Sequence, residues 1–427
     1  MLIKYKTILL LSLLTVSTVS MAQQAHSSPY SYVGIGDISG LGLAYNRGMG
    51  GLGIGMRSSY YLNGINPAAL SAMDTLSFTF EFGASGEYAI LESPSVNEAS
   101  MNGSIDYLAL GFPITKWLKT SVGFMPYSRV GYDLTEYIDA KNNDDETLFT
   151  MRRDIKGEGG LNQIYMSNSV MFLKKFSVGL SFSYIFGQIK NTTTDTPSKY
   201  DPSISTYAEE LTTRVGDIGY NLGFQYHDNI KSKYKFTIGV TYGVKNVLDT
   251  KTELTMRSLT IGHSSTGDTL FNNQNLASSV SLPGFYGFGF SIGTEKLTFG
   301  VDYQYSTWSQ SSIANKQEKY VDAQKIIVGL EYIPKPRTAV KYIHRIRYRL
   351  SSRLENSYML INSNQLKDVG ITFGVGLPMK RSKSTLNLAF DMGRRSTFVD
   401  GALSQTYFKF SLDLSLHDIW FIKRKYD

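Results

Sequence analysis

From Phe176 onward the chain keeps returning to strict alternation of apolar and polar side chains, and this period of two limits the fold more than any other feature. Phe408, Phe410, Leu412, Leu414 and Leu416 alternate with Lys409, Ser411, Asp413 and Ser415. Leu297, Phe299, Val301, Tyr303 and Tyr305 alternate with Thr298, Gly300, Asp302, Gln304 and Ser306, and the same holds around 234–244, 369–377 and 386–393. Successive side chains of a strand point to opposite faces, so each stretch has one apolar and one polar face. A soluble sandwich meets this pattern by turning the apolar face inward. Three features favour a membrane barrel instead. The apolar sets are long enough for the ~9–11 residues of a tilted spanning strand. The opposite face is glycine, serine and charge, as a lumen requires, and the connections alternate between short and long.

The alternation predicts an all-β chain: a fourteen-stranded antiparallel transmembrane β-barrel with an N-terminal hatch, or plug, inside the lumen. Strands are expected at 75–90, 101–112, 117–135, 147–173, 176–190, 210–226, 233–248, 279–292, 296–309, 321–333, 339–352, 366–378, 384–396 and 405–416. An even count suits a single-chain outer-membrane barrel. Lys174-Lys175, Gly293-Thr294-Glu295 and Pro334-Lys335-Pro336 read as short periplasmic turns, and 191–209 and 249–278 as long extracellular loops. The stretch 147–173 is long for one strand. Gly157, Gly159 and Gly160 mark a bulge there, and a true turn would make the count odd. In hydrocarbon every strand N–H must find a partner, which only a closed sheet provides. A wall this wide leaves a lumen that side chains alone do not fill. Composition agrees: 39 glycines, 29 tyrosines and 23 phenylalanines occur with 19% charged residues, and no cysteine is present for disulfides or thiolate metal sites.

The N-terminus reads as an export signal. Lys4 and Lys6 precede an apolar run, Ile8 to Val19, too short to cross ~30 Å of hydrocarbon as a helix, and Ser20-Met21-Ala22 offers a cleavage site after Ala22. The expected divisions are 1–22 signal peptide, 23–73 hatch, 74–417 barrel and 418–427 periplasmic tail. The hatch centres on Met49 to Met73. Gly48, Gly50, Gly51, Gly53 and Gly55 make it a poor strand and a poor helix. It also carries the run Asn66-Pro67-Ala68. Its apolar residues Leu41, Leu43, Leu52, Ile54, Met56 and Leu70 either pack together as plug core or line a pocket for an apolar substrate.

Asn66-Pro67-Ala68-Ala69-Leu70, placed just ahead of the first strand, resembles the hatch motif of the FadL-type outer-membrane transporters of long-chain fatty acids and other hydrophobic compounds. The order of signal peptide, hatch and fourteen strands is similar too, as are the long third and fourth outer loops. The ending Trp420 to Asp427 looks like barrels of this type from Bacteroidota. The resemblance implies an outer-membrane location and passive uptake: substrate enters at the outer loops, passes an apolar pocket, and leaves sideways at a kinked third strand. Here that strand, 117–135, carries Pro126, which has no N–H for the ladder. Pro126 therefore marks either a lateral opening or a plain bulge. Some barrels resembling this family instead dock cargo for a protein-secretion apparatus. A permanently plugged structural barrel is a third reading.

Arg345, Arg347 and Arg349 fall on one face of 339–352. They either bind a substrate carboxylate or pair with lumen acids such as Asp302, Asp391 and Asp413. Arg129, three residues past Pro126, points to the lumen by strict alternation unless the proline shifts the register, and it too suits an anionic head group. The five histidines show no metal-ligand spacing, and no phosphate loop or dinucleotide fingerprint occurs. The sequence thus predicts no enzyme, no cofactor and no metal. The formal charge of +7 is distributed along the chain and does not point to nucleic acid. Expected partners are outer-membrane lipid and a hydrophobic small molecule, with secretion-system proteins under the alternative reading, and the expected state is a monomer.

Overall fold

The computed structural model describes residues 28–419 except 41, 142–146, 200–205, 232, 260–266, 277–278, 313–319, 336–340 and 381. The expected signal peptide, Leu41, and residues 420–427 of the expected tail lie outside the described residues.

A two-residue strand, β1 (Asp37–Ile38), precedes the wall. The wall opens with β2 (Ser77–Ser93), β3 (Val96–Pro113), β4 (Leu118–Lys141), β5 (Thr147–Phe172), β6 (Phe176–Pro197) and β7 (Thr206–Ile230). It continues with β8 (Tyr234–Gly243), β9 (Asn246–Leu248), β10 (Thr250–Leu259), β11 (Gly267–Leu276), β12 (Val280–Leu282) and β13 (Phe285–Gly293). It ends with β14 (Leu297–Ser306), β15 (Ala323–Tyr332), β16 (Arg347–Ile361), β17 (Asn364–Pro378), β18 (Thr385–Ser396) and β19 (Ser404–Ile419). β8 and β10 pair with the two ends of β7 and share one wall position. β11 and β13 pair with β10 and β8 and share the next. β9 and β12 pair with each other in a side ribbon where both positions are interrupted. β19 pairs with β2 from Ser404↔Glu92 to Ile419↔Ser77, closing a 14-strand antiparallel barrel.

The outer face explains the alternation. Phe299, Leu330, Leu350, Phe373, Phe390 and Phe410 are successive cross-strand partners. All six are exposed. A continuous apolar row turned outward is the lipid-facing band of an outer-membrane barrel. The inward neighbours are polar and buried: Asp302, Glu331, Arg349, Thr372, Asp391 and Asp413.

The structure departs from the sequence reading in three places. The outer loops expected at 191–209 and 249–278 are largely strand, since β6 runs to Pro197, β7 starts at Thr206, and β10 and β11 form a hairpin. Such a ribbon stands in water, so neither face needs to be apolar and no period-two signal marks it. Second, β5 is a single strand of 26 residues, and the extra residue lies in its neighbour. The β4–β5 register jumps between Pro126↔Asn162 and Ser128↔Leu161, leaving Tyr127 unmatched. Gly160 accommodates it at φ 143, and a Cβ there would meet the Ser128 carbonyl oxygen at 2.4 Å. Third, Tyr342–Arg345 is a 3₁₀ turn, so the eleventh wall strand begins at Arg347 rather than 339.

Candidate functional site

Two neighbouring wall strands part along much of their length. β3 and β4 pair only from Pro113↔Lys119 to Leu108↔Phe124. Above Phe124, β3 continues with β2 alone, while β4 continues with β5. The separation starts at Met125-Pro126, where the proline cannot donate and Tyr127 bulges out of register. The bulge also reverses the faces of β4. Phe124 is exposed on the outer wall, whereas Val130 and Tyr132, of the same parity, are buried. Strict alternation is therefore wrong for Arg129.

β1 takes part of the freed edge of β4, with Asp37 opposite Arg129 and Ile38 opposite Ser128. The Arg129 guanidinium reaches the other way, to the Asp106 carboxylate of β3 at 3.0 Å. It thus closes the seam with an ion pair just above the last paired backbone residues. The second oxygen of Asp106 lies 2.7 Å from Arg47, which stands in the N-terminal segment on the helical turn Ala44–Arg47. Arg47 is buried and also meets Asp413 at 3.2 Å and Ser411 at 2.7 Å.

Polar contacts tie residues 43–73 to side chains of strands all around the ring. The backbone N–H groups of Gly53, Ile54 and Gly55 donate to the Asp302 carboxylate at 2.6, 2.7 and 3.2 Å. Leu62 N–H donates to Glu81 of β2. Gln225 of β7 donates to Ile54, Ser169 of β5 to Ala68, and Ser291 of β13 to Gly55. The leucines and methionines of the segment pack as core. Leu43, Leu62, Leu70 and Met73 surround Tyr107, and Met49, Leu52 and Met56 join Tyr45, Tyr61 and Ile327.

Asn66, Pro67 and Ala68 have a defined structural role. The Asn66 side chain accepts from Ala68 N–H at 3.0 Å, capping the 3₁₀ helix Pro67–Ala72 with the proline in its first turn. Its amide donates to Ile54 O at 2.9 Å and Phe224 O at 3.3 Å. Gly179 and Gly223, cross-strand partners in β6 and β7, let this motif lie against the wall. A Cβ on Gly223 would sit 2.2 Å from Asn66 Oδ1, and one on Gly179 2.3 Å from Pro67 C and Ala68 N.

The expected arginine row is only partly present. Arg345 lies on the 3₁₀ turn at the short-turn end and stacks over Tyr342 at 5.4 Å, away from the lumen row. Arg349 is buried, 2.8 Å from Glu331 and 3.0 Å from Asn387, with Tyr45 and Tyr61 of the N-terminal segment on its face. Arg347 meets Glu331 at 3.6 Å and stacks over Tyr60 at 4.5 Å. Sequence reasoning missed Arg353, two turns of the pleat further on, which bonds Asp391 and Tyr407. Of the three expected acids only Asp391 meets an arginine of this strand. Asp302 receives backbone N–H groups, and Asp413 serves Arg47 and Tyr107.

A cavity of about 270 Å³ opens above the segment, at the seam. Met125, Pro126, Asp106 and Arg129 line its seam side, and Arg353, Asp368, Asp391 and Arg395 the opposite side. This cavity carries many charged side chains where the resemblance implies an apolar pocket. No cluster of metal-ligating side chains occurs among the described residues.

The sequence model of the BamG family matches residues 3–427. No curated protein sequence matches significantly. Among solved structures, the chain resembles the toluene transporter TbuX of Ralstonia pickettii at 14% identity and a TM-score of 0.56, covering 89% of this chain and 98% of that one. A FadL homologue of Pseudomonas aeruginosa aligns at 12% identity and 0.56, covering 90% and 98%. The P. putida toluene transporter TodX aligns at 13% identity and 0.56, covering 91% and 100%. At these identities the likeness establishes the fold, which is the one expected from the FadL-type resemblance.

Proposed function

The chain belongs to the BamG family, and from the geometry of its seam we propose that it is a monomeric outer-membrane channel for passive uptake of hydrophobic compounds. Residues 43–73 act as a hatch, the β3–β4 seam is the lateral exit, and no covalent chemistry is involved. The observation that carries this reading is the end of β3–β4 pairing at Leu108–Phe124 beside a cavity lined by Met125, Pro126, Asp106 and Arg129. The similar solved structures are described as transporters of toluene and as a FadL homologue. A charged cavity suits an amphiphile, whose head group replaces part of the ion-pair network while its tail meets lipid through the seam. Long-chain fatty acids fit this requirement better than bare hydrocarbons. Exchange of a substrate carboxylate for Asp106 at Arg129 would open the seam and, through Arg47, loosen the hatch together.

The absence of cysteine allows a clean test. An I105C/Y127C variant, which spans the seam and leaves Asp106 and Arg129 in place, should lose uptake of labelled oleate into cells when bridged by a reducible bis-thiosulfonate and regain it on reduction. Uptake indifferent to the bridge overturns the lateral exit.

A second reading is favoured by the outer sheet. β4, β5, β6 and β7 have 24, 26, 22 and 25 residues, at least twice the ~9–11 a spanning strand needs. Such a sheet, standing above a lumen tied shut by buried ion pairs, also suits a docking component for other proteins. Crosslinking from Tyr137, exposed on this sheet, should then trap a specific protein in cells, and uptake should not depend on the chain.

A further inference from the structure

Six exposed lysines that are spread along the sequence come together at one end of the barrel. Each of the six turns at the short-turn end carries an exposed lysine: Lys116 after β3, Lys174 after β5, Lys231 after β7, Lys296 after β13, Lys335 after β15 and Lys380 after β17. None of the six has an acidic partner among the described residues. Among the described residues, the lysines at this end that do form ion pairs are Lys175 with Asp228 and Lys383 with Asp74. At the other end several bases are paired, as Arg153 is with Asp195, Lys156 with Asp133, and Lys190 with Glu210. By the turn-length rule the lysine end is periplasmic.

We infer that this lysine ring is a binding collar for anionic phospholipid head groups of the periplasmic leaflet. Two observations favour a lipid surface over a soluble acidic partner. The lysines occupy every turn around the circumference, as a head-group layer does, whereas a docked protein meets one side. Large apolar side chains are interleaved with them at the same level: Trp117 is 60% exposed, Leu173 77% and Ile343 57%. Aromatic and aliphatic tips beside snorkelling lysines belong at the boundary of acyl chain and head group. Each lysine there adds attraction for anionic lipid that salt screens. The collar sets the depth of the barrel and gives its inner rim a preference for phosphatidylglycerol over phosphatidylcholine.

The test is native mass spectrometry of the full-length barrel released from nanodiscs of phosphatidylcholine and phosphatidylglycerol at three to one. The wild type should retain phosphatidylglycerol at least about fivefold above its supplied share. Lysine-to-glutamine substitution at all six positions should return retention to that share, and lysine-to-arginine substitution should preserve it. Equal enrichment in wild type and glutamine variant, or no enrichment in the wild type, overturns the inference. So does saturable binding of soluble polyglutamate without lipid preference, which would assign the ring to an acidic macromolecule. Should the glutamine variant not fold, the wild type decides alone: enrichment must fall as salt rises from 50 to 500 mM, and salt-independent retention overturns the collar.

Discussion

The Asp106 carboxylate, on β3, lies 3.0 Å from the Arg129 guanidinium, on β4, across the one place where these neighbouring strands do not pair. Its other oxygen holds Arg47 at 2.7 Å, so a single carboxylate joins both lips of the seam to the N-terminal segment. Wall and interior are therefore coupled through one side chain.

Replacing Asp106 by Asn should destabilise the barrel by about 3 kcal/mol, the low end for breaking a buried ion pair, because Asp413 still faces Arg47. The seam should also open. We expect a lower temperature for the shift in gel mobility on heating and a larger conductance in planar bilayers. Unchanged values of both would show that the pairing is incidental.

Asn66→Ala removes the cap of the 3₁₀ helix and two further bonds, to Ile54 O and Phe224 O. The cost should be roughly 2 kcal/mol, borne by the interior segment rather than the wall. Limited proteolysis should then cut within 43–73 while the strand signal in circular dichroism stays at its wild-type value.

Gly223→Ala places a methyl 2.2 Å from Asn66 Oδ1 and 2.9 Å from Pro67 Cδ. Overpacking of this kind costs ~1–3 kcal/mol and should unseat the same segment. Gly103, whose Cβ would meet nothing within 4 Å, is the matched control. Gly223→Ala should raise protease sensitivity and Gly103→Ala should not. Equal behaviour of the two would mean that the motif does not press on the wall.

Glu331→Gln leaves Arg349 buried with Asn387 and two tyrosine rings but no carboxylate. A loss of ~3–5 kcal/mol is expected in urea unfolding. Asp391→Asn disturbs the separate Arg353 network, so the two losses should add within ~0.5 kcal/mol. Strong non-additivity would show that the two networks are one.

The wall was legible because its signal is local. The face of Phe299 or Leu412 follows from its immediate neighbours, and turn residues such as Lys174-Lys175 mark the reversals. The interior segment was legible as compact and apolar, and Leu43, Leu52 and Leu70 do pack as core. Its anchors were not: that Asp302 would receive three backbone N–H groups some 250 positions earlier in the chain depends on closure of the ring. The arginine row failed at Arg345 because that strand starts only at Arg347, and it missed Arg353 because the strand runs on to Ile361, past the end its hydropathy marks at 352.

The amino-acid sequence by itself determined an even-numbered closed cylinder with lipid outside and a glycine-rich N-terminal stretch to place, since pleat and hydropathy act between adjacent residues. Only the tertiary structure decided that one extra residue, Tyr127, turns Arg129 away from its expected direction and across to Asp106, and that scattered lysines meet in a ring. The first depends on the register that β4 takes against β5 and the second on closure of the ring, and no local pattern encodes either.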